Sequence, residues 1–310
     1  MDAILYFGMF VGCLVVLLKA SDWFVESAEK IGLSFGVSPF IVGVTIVAFG
    51  TSLPELAASI AAIYAGESEI VIGNVVGSNI ANILLILGIT AVLAKEVKLD
   101  FKIVDIDLPF LVGSSLFLWF ACFDMNITLF EMVILLTCLF LFLVNSFQRD
   151  EDPDNEDRID INWKTYAIMI AGGVLVYISA EYTVVAIQKL AAIAGIMPDG
   201  IAVTLVAFGT SLPEIAVSIA AVRNKKTSIA VGNVVGSNIF NVLAVVGISR
   251  IFGELAIPES FLSFNLPFMF AVTIMFGIIS IGRNLSRWEG FMFILFYLYF
   301  IGQSYQSALG

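Results

Sequence analysis

VAFGTSLPE stands at Val47 to Glu55 and again at Val206 to Glu214, and in both places it sets a carboxylate beside a proline inside an apolar run. The copies lie 159 residues apart. The same offset, with no gap, carries GNVVGSNI at Gly73 to Ile80 onto Gly232 to Ile239. About 70 residues, Ala20 to Ile89, therefore have a second version at Ser179 to Ile248.

Composition sets the class in which this repeat works. With 60% hydrophobic residues, 13% charged residues and a mean hydropathy of +1.01, the 310-residue chain cannot be a soluble core inside a solvated surface. It is read as an integral membrane protein. Runs of roughly 17 to 25 apolar residues are long enough to cross the hydrocarbon as helices. Ten such spans are expected, near 3 to 20, 39 to 65, 69 to 94, 103 to 121, 127 to 147, 164 to 187, 199 to 222, 227 to 249, 261 to 282 and 288 to 305. The expected fold is thus an all-α polytopic membrane protein of ten transmembrane helices. The first span is expected to stay in place, because the Met-Asp-Ala before it lacks positive charge and no small-residue cleavage site follows.

Several chemistries are excluded early. Cys13, Cys122 and Cys138 all lie in or at the edge of apolar spans and give neither a disulfide framework nor a metal cluster. Histidine is absent, which removes the commonest catalytic base and transition-metal ligand. No enzymatic activity and no resident cofactor are expected. The net charge of -11 and the lack of a basic patch speak against nucleic acid as a partner, and no obligatory protein partner is evident. Much of the acidic excess sits in RDEDPDNEDRIDIN, Arg149 to Asn162. A calcium loop starting at Asp150 is rejected, since its sixth position is Asn155 and not glycine, and its twelfth is Ile161 and not glutamate. The segment reads as a solvated linker, 149–163, between a first five-helix repeat at 1–148 and a second at 164–310.

Cytoplasmic loops are enriched in Lys and Arg. Thirteen of the fifteen basic residues fall on the side opposite the N-terminus, against Lys189 and Arg250 on the other. Both termini are expected outside a cell membrane, with the acidic linker in the cytoplasm. Five spans per repeat is an odd number, so the second repeat enters from the opposite face. Secondary transporters use such inverted repeats to build one central site with two-sided access.

Chemistry concentrates at the second and seventh spans. Pro54 has no N–H and clashes with the carbonyl four residues back, so a helix broken near the midplane is expected, with carbonyls released near Ala48 to Gly50. Thr51 and Glu55 share a face with Ser52 beside them, and Thr210, Ser211, Pro213 and Glu214 repeat the pattern. Asn74, Ser78 and Asn82 recur every four residues, as do Asn233, Ser237 and Asn241, giving a polar stripe on each following span. Gly73, Gly77, Gly232 and Gly236 permit close helix approach. This donor set is all oxygen and suits hard cations. Two carboxylates carry a charge of -2, which one Ca2+ or two Na+ would neutralise.

Other polar residues in the spans have simpler roles. Single intramembrane amides such as Asn79 and Asn238 read as interhelical glue worth about 0.6 kcal/mol. Acidic residues near span ends, such as Asp22, Glu131 and Glu181, read as reaching the interface. Glu55 and Glu214 resist that treatment, because a carboxylate at a helix centre costs on the order of 2.5 to 3.5 kcal/mol and two stand in equivalent positions.

At these residues the chain resembles the cation/calcium antiporter superfamily, and within it the sodium/calcium exchangers. The GTSLPE segments resemble that family's alpha repeats, and the GSNxxN stretches their second elements. The resemblance implies ten helices around sites for several Na+ and one Ca2+. The ligands it implies are the Ala48 carbonyl, Thr51, Ser52, Glu55, Ser78 and Asn82, with the Ala207 carbonyl, Thr210, Ser211, Glu214, Ser237 and Asn241. Thr51, Glu55, Thr210 and Glu214 would contact Ca2+. Two departures stand out: Asn241 occupies a place where many relatives carry Asp, and the short linker leaves no room for the large regulatory domain of animal relatives.

The function expected is Na+/Ca2+ antiport by alternating access, with Ca2+ extruded. The same fold coupled to H+, or to Na+ with K+, is the nearest alternative. A cation channel and an intramembrane carboxylate protease are rivals of other classes. The inverted repeat argues against the first, and the hydroxyls and amides around the glutamates against the second.

Overall fold

A chain this apolar must satisfy its backbone within itself wherever lipid replaces water, and helices are the cheapest way to do so. The computed structural model describes residues 2–99, 106–148, 161–193, 209, 211–259 and 261–309. They are mostly helical: α1 (Asp2–Ser34), α2 (Pro39–Tyr64), α3 (Glu69–Ala94), α4 (Leu108–Ala121), α5 (Leu129–Gln148), α6 (Trp163–Ile193), α7 (Leu212–Arg223), α8 (Thr227–Phe252), α9 (Phe261–Ile281) and α10 (Arg287–Leu309).

Seven of these, α1, α2, α3, α5, α6, α8 and α9, are long and apolar enough to cross a membrane. The spans expected at 103 to 121 and 199 to 222 begin outside the described residues. Their described parts, α4 with 14 residues and α7 with 12, are shorter than the roughly 20 a crossing needs. Most of the linker, 149–160, also lies outside the described residues.

Local sequence sets the helix ends. Ser38 accepts a hydrogen bond from the Ile41 N–H, and Pro39 fills the first helical position of α2, where a missing N–H is harmless. Gly36 and Gly66 take positive φ in the turns after α1 and α2. Glu131, expected at the interface, instead closes a capping box: its carboxylate accepts from the Thr128 N–H and hydroxyl at 2.7 and 2.8 Å.

Burial separates an inner group from an outer one. The apolar window of α8 is 100% buried and that of α3 78%, against 11% for α1 and 17% for α5. Small residues make the inner packing dense. A methyl group on Gly43 would stand 2.5 Å from the Ile229 carbonyl oxygen, and one on Gly236 2.2 Å from that of Val44, so α2 and α8 touch backbone to backbone. Outside them α1 and α6 pack along one another, with Gly172 of α6 against the Phe24 and Ala20 backbone. Glu29 of α1 forms an ion pair with Lys226, just before α8, and Asp22 accepts from Asn224 at 3.2 Å.

Two short strands depart from the all-helical expectation. β1 (Glu96–Lys98) pairs antiparallel with β2 (Asn284–Ser286), Val97 facing Leu285. An isolated bridge joins Asn126 to Ala256. Shifting 97 and 126 by the repeat offset gives 256 and 285, so the bridge is the strand pair with partners exchanged. The strand pair joins the segment before α4 to the one after α9, and the bridge does the reverse. Equivalent contacts thus sit at opposite ends of this helix pair.

Because Gly236 meets backbone and not a flexible side chain, Gly236→Ala should destabilise the protein by about 1 to 3 kcal/mol through overpacking. Gly113→Ala, with nothing within 4 Å of the added methyl, should be silent. Thermal unfolding of the two purified variants in detergent checks the contrast.

Candidate ion-binding site

The site is built where the repeated motifs meet. Glu55 lies on α2 and Glu214 in the first turn of α7, where the helix N-terminus favours an anion. Both side chains are fully buried. Their carboxylates are near enough to interact electrostatically, with Thr51 beside Glu214. None of the four carboxylate oxygens accepts a hydrogen bond from a described residue.

The surrounding hydroxyls and amides are tied across the two halves. The Thr51 hydroxyl lies 3.3 Å from the Ala48 carbonyl, 3.1 Å from Asn233 Oδ1 and 3.3 Å from Ser237 Oγ. Ser211 donates to Ser78 at 3.2 Å. Asn74 donates to the Glu55 carbonyl at 3.5 Å, and Asn233 to Ser218 Oγ at 3.1 Å. Ser52 Oγ, Asn82 Oδ1 and Asn241 Oδ1 are buried without a partner.

Of the residues expected at the site, Ala48, Thr51, Ser52, Glu55, Ser78, Asn82, Ser211, Glu214, Ser237 and Asn241 are all buried, at 4% exposure or less. Residues of the first half meet those of the second in the pairs Thr51 with Ser237, Ser78 with Ser211, and Glu55 with Glu214. Ala207 and Thr210 lie outside the described residues. Among the described residues no group of three or more Asp, Glu, Cys or His is found, so a cation beside this glutamate pair draws its other ligands from neutral oxygens.

The backbone differs from expectation at Pro54. Instead of breaking, α2 continues as α-helix from Ala48 to Tyr64 with Pro54 inside it, and a π-helical turn precedes this stretch at Gly43–Val47, two to three turns before the proline. Pro213 behaves otherwise. It occupies the first turn of α7, right after Ser211. Further π-turns begin at Asn82 and at Asn241, the equivalent positions of the two repeats.

Two residues read as interhelical glue are joined across the helices here, in a pattern that the sequence reading did not foresee. Asn79 and Asn238 donate to each other's backbone carbonyls at 3.2 and 3.5 Å and accept from Asn241 and Asn82 at 3.1 and 3.0 Å. The signal that marks them is their separation, which equals the repeat offset.

A cavity of about 770 Å3 lies beside the site but is not part of it. Its lining, including Phe49, Gly50, Leu53, Pro54, Leu143 and Tyr177, is apolar and contains neither glutamate.

Comparison with known proteins points to one family. The model of the sodium/calcium exchanger protein family matches residues 5–148 and 164–306. The chain is 35% identical to the sodium/calcium exchanger MaX1 of Methanosarcina acetivorans, covering 93% of this chain and 95% of that one. It is 32% identical to the putative antiporter CaxA of Alkalimonas amylolytica, covering 94% and 95%. A solved structure of the sodium-calcium exchanger NCX_Mj superimposes with a TM-score of 0.83 at 30% identity, over 97% of this chain and 99% of that one.

Two adjacent buried carboxylates without donors among the described residues favour a cation or a proton between them, since each bare ion is costly to bury and the two repel. Added Ca2+ should therefore raise the thermal unfolding midpoint by mass action, by about 2.7 kcal/mol at one hundred times the dissociation constant. The Glu55→Gln/Glu214→Gln double variant should show no such shift. Melting curves over a Ca2+ series, read against a Gly113→Ala control, check this.

Proposed function

The chain belongs to the sodium/calcium exchanger protein family, and on that premise we propose that it exchanges Na+ for Ca2+ across a cell membrane by alternating access and extrudes Ca2+. The observation that carries this reading is the glutamate pair: fully buried, mutually close, and drawn one from each repeat. Its charge of -2 is matched equally by one Ca2+ or by two Na+. Exchange of one for the other keeps the pocket neutral, whereas an empty, doubly charged pocket is disfavoured at every point of the cycle.

The neutral oxygens divide the remaining work. Thr51, with Glu55 and Glu214, contacts Ca2+; Ser52, Ser78, Asn82, Ser211, Ser237 and Asn241 complete the Na+ sites. Flexible coordination by many oxygens suits the larger divalent ion, and hydroxyls and amides suit the monovalent one.

In this reading the two five-helix repeats, 1–148 and 164–310, are inverted about the site. The 149–163 segment is a cytoplasmic linker, and both termini are outside. The motion falls to α1 and α6. They pack on one another while α1 buries little of its surface in the molecule, so their displacement disturbs the inner helices least. If more than two positive charges enter for each Ca2+ that leaves, membrane potential contributes about 2.3 kcal/mol per net charge per 100 mV, and transport is voltage-dependent.

Radiolabelled Ca2+ uptake into proteoliposomes tests the reading. An outward Na+ gradient should drive uptake, and Glu55→Gln or Glu214→Gln should each lower it about tenfold or more, the loss of one charge-assisted ligand. Uptake driven instead by a pH gradient, or only with K+ present, would reassign the coupling ion. Unsaturable flux would make the protein a channel.

A further inference from the structure

The four asparagines at the centre are oriented by one another, and the logic starts from atoms that can only accept. The backbone carbonyl of Asn238 lies 3.2 Å from an amide terminus of Asn79. A carbonyl oxygen has no hydrogen to give, so that terminus must be the Asn79 Nδ2. The other terminus, Asn79 Oδ1, is then itself an acceptor. It faces the Asn241 amide at 3.1 Å, which must turn its Nδ2 inward. The mirrored sequence runs from the Asn79 carbonyl through Asn238 Nδ2 at 3.5 Å, and from Asn238 Oδ1 to Asn82 Nδ2 at 3.0 Å.

This reasoning settles amide orientations that coordinates alone leave ambiguous. Because each amide is planar, fixing Nδ2 fixes Oδ1 on the opposite side. Asn82 Oδ1 and Asn241 Oδ1 are the two atoms left over, both fully buried and both without a donor among the described residues. A buried amide oxygen without a partner is unfavourable by roughly 1 to 3 kcal/mol unless a ligand meets it. The π-turns that begin at these same two residues widen the backbone there.

We propose that Asn79 and Asn238 are positioning residues, each locking the amide of the opposite half's asparagine, Asn241 and Asn82 respectively, so that its oxygen is presented to the transported cation. The inference rests on the reading of this centre as the exchange site. It adds that the site's geometry is held by residues that never touch the ion, and that each half orients a ligand belonging to the other. Outer-sphere partners of metal ligands generally act in this way, and their removal weakens affinity about 10- to 100-fold.

The test is calorimetric titration of Na+ into purified protein, together with the half-saturating Na+ concentration and maximal rate of Na+-driven Ca2+ uptake. Asn79→Leu and Asn238→Leu keep the side-chain volume and delete the amide. Each is expected to weaken Na+ binding and raise the half-saturating Na+ concentration about tenfold or more, with the maximal rate within about twofold. The shorter Asn79→Ser serves if the leucine variant fails to fold. Because Asn79 acts through Asn241, Asn79→Leu should add nothing further to the loss caused by Asn241→Ala, measured as a double-mutant cycle. Affinity within twofold of wild type in both leucine variants, or losses that multiply in the double variant, would overturn the proposal. Glu55→Gln run alongside separates the two levels: unchanged Na+ binding there removes the site itself, whereas lost binding there with unaffected leucine variants removes only the positioning role.

Discussion

The molecule is organised around two buried carboxylates whose oxygens accept no hydrogen bond from the described residues. Glu55 and Glu214 come from different repeats, so the pair exists only when both halves are assembled. Two bare anions there are unfavourable, and cations or protons that neutralise them couple ion binding to the stability of the core. The dense backbone contact of α2 with α8, through Gly43 and Gly236, holds the elements close enough for this to happen. The lipid-facing helices have no comparable role in the centre. Their large exposed side chains, such as Leu5, Phe7 and Phe130, serve the bilayer.

Much of this was legible in the sequence because it was written twice. One offset located the glutamates, the hydroxyls beside them and the amide stripes, and the apolar runs gave the helices. The backbone response to proline was not legible. The same residue in the same motif lies inside a continuous helix at Pro54 and in the first turn of one at Pro213. A missing N–H forbids one hydrogen bond but does not say whether the helix will run on past it or start there. The strand pair was also hidden, since three residues at Glu96–Lys98 acquire their strand character only from a partner nearly two hundred positions away.

Asn79 and Asn238 show a different limit. Side-chain type alone made them ordinary packing amides. Their meaning comes from lying where the two copies of the repeat meet, so that each contacts its own counterpart. Contact between equivalent residues is what a two-fold axis produces between identical subunits. Here the same relation operates within one chain, at the asparagines and again at the paired segments around Val97 and Asn126.

The bond between Glu29 and Lys226 has no such twin. The positions that correspond to it hold Gln188 and Glu67, which cannot form an ion pair. A perfectly two-fold carrier would spend equal time open to either compartment, because its two resting shapes would be mirror versions of equal energy. An unmatched ion pair on α1, the helix proposed to move, weights two such shapes unequally, and its partly shielded position leaves it only modestly sensitive to electrolyte. Contacts that the repeat does not duplicate, at the periphery and remote from the glutamates, are where such a bias enters.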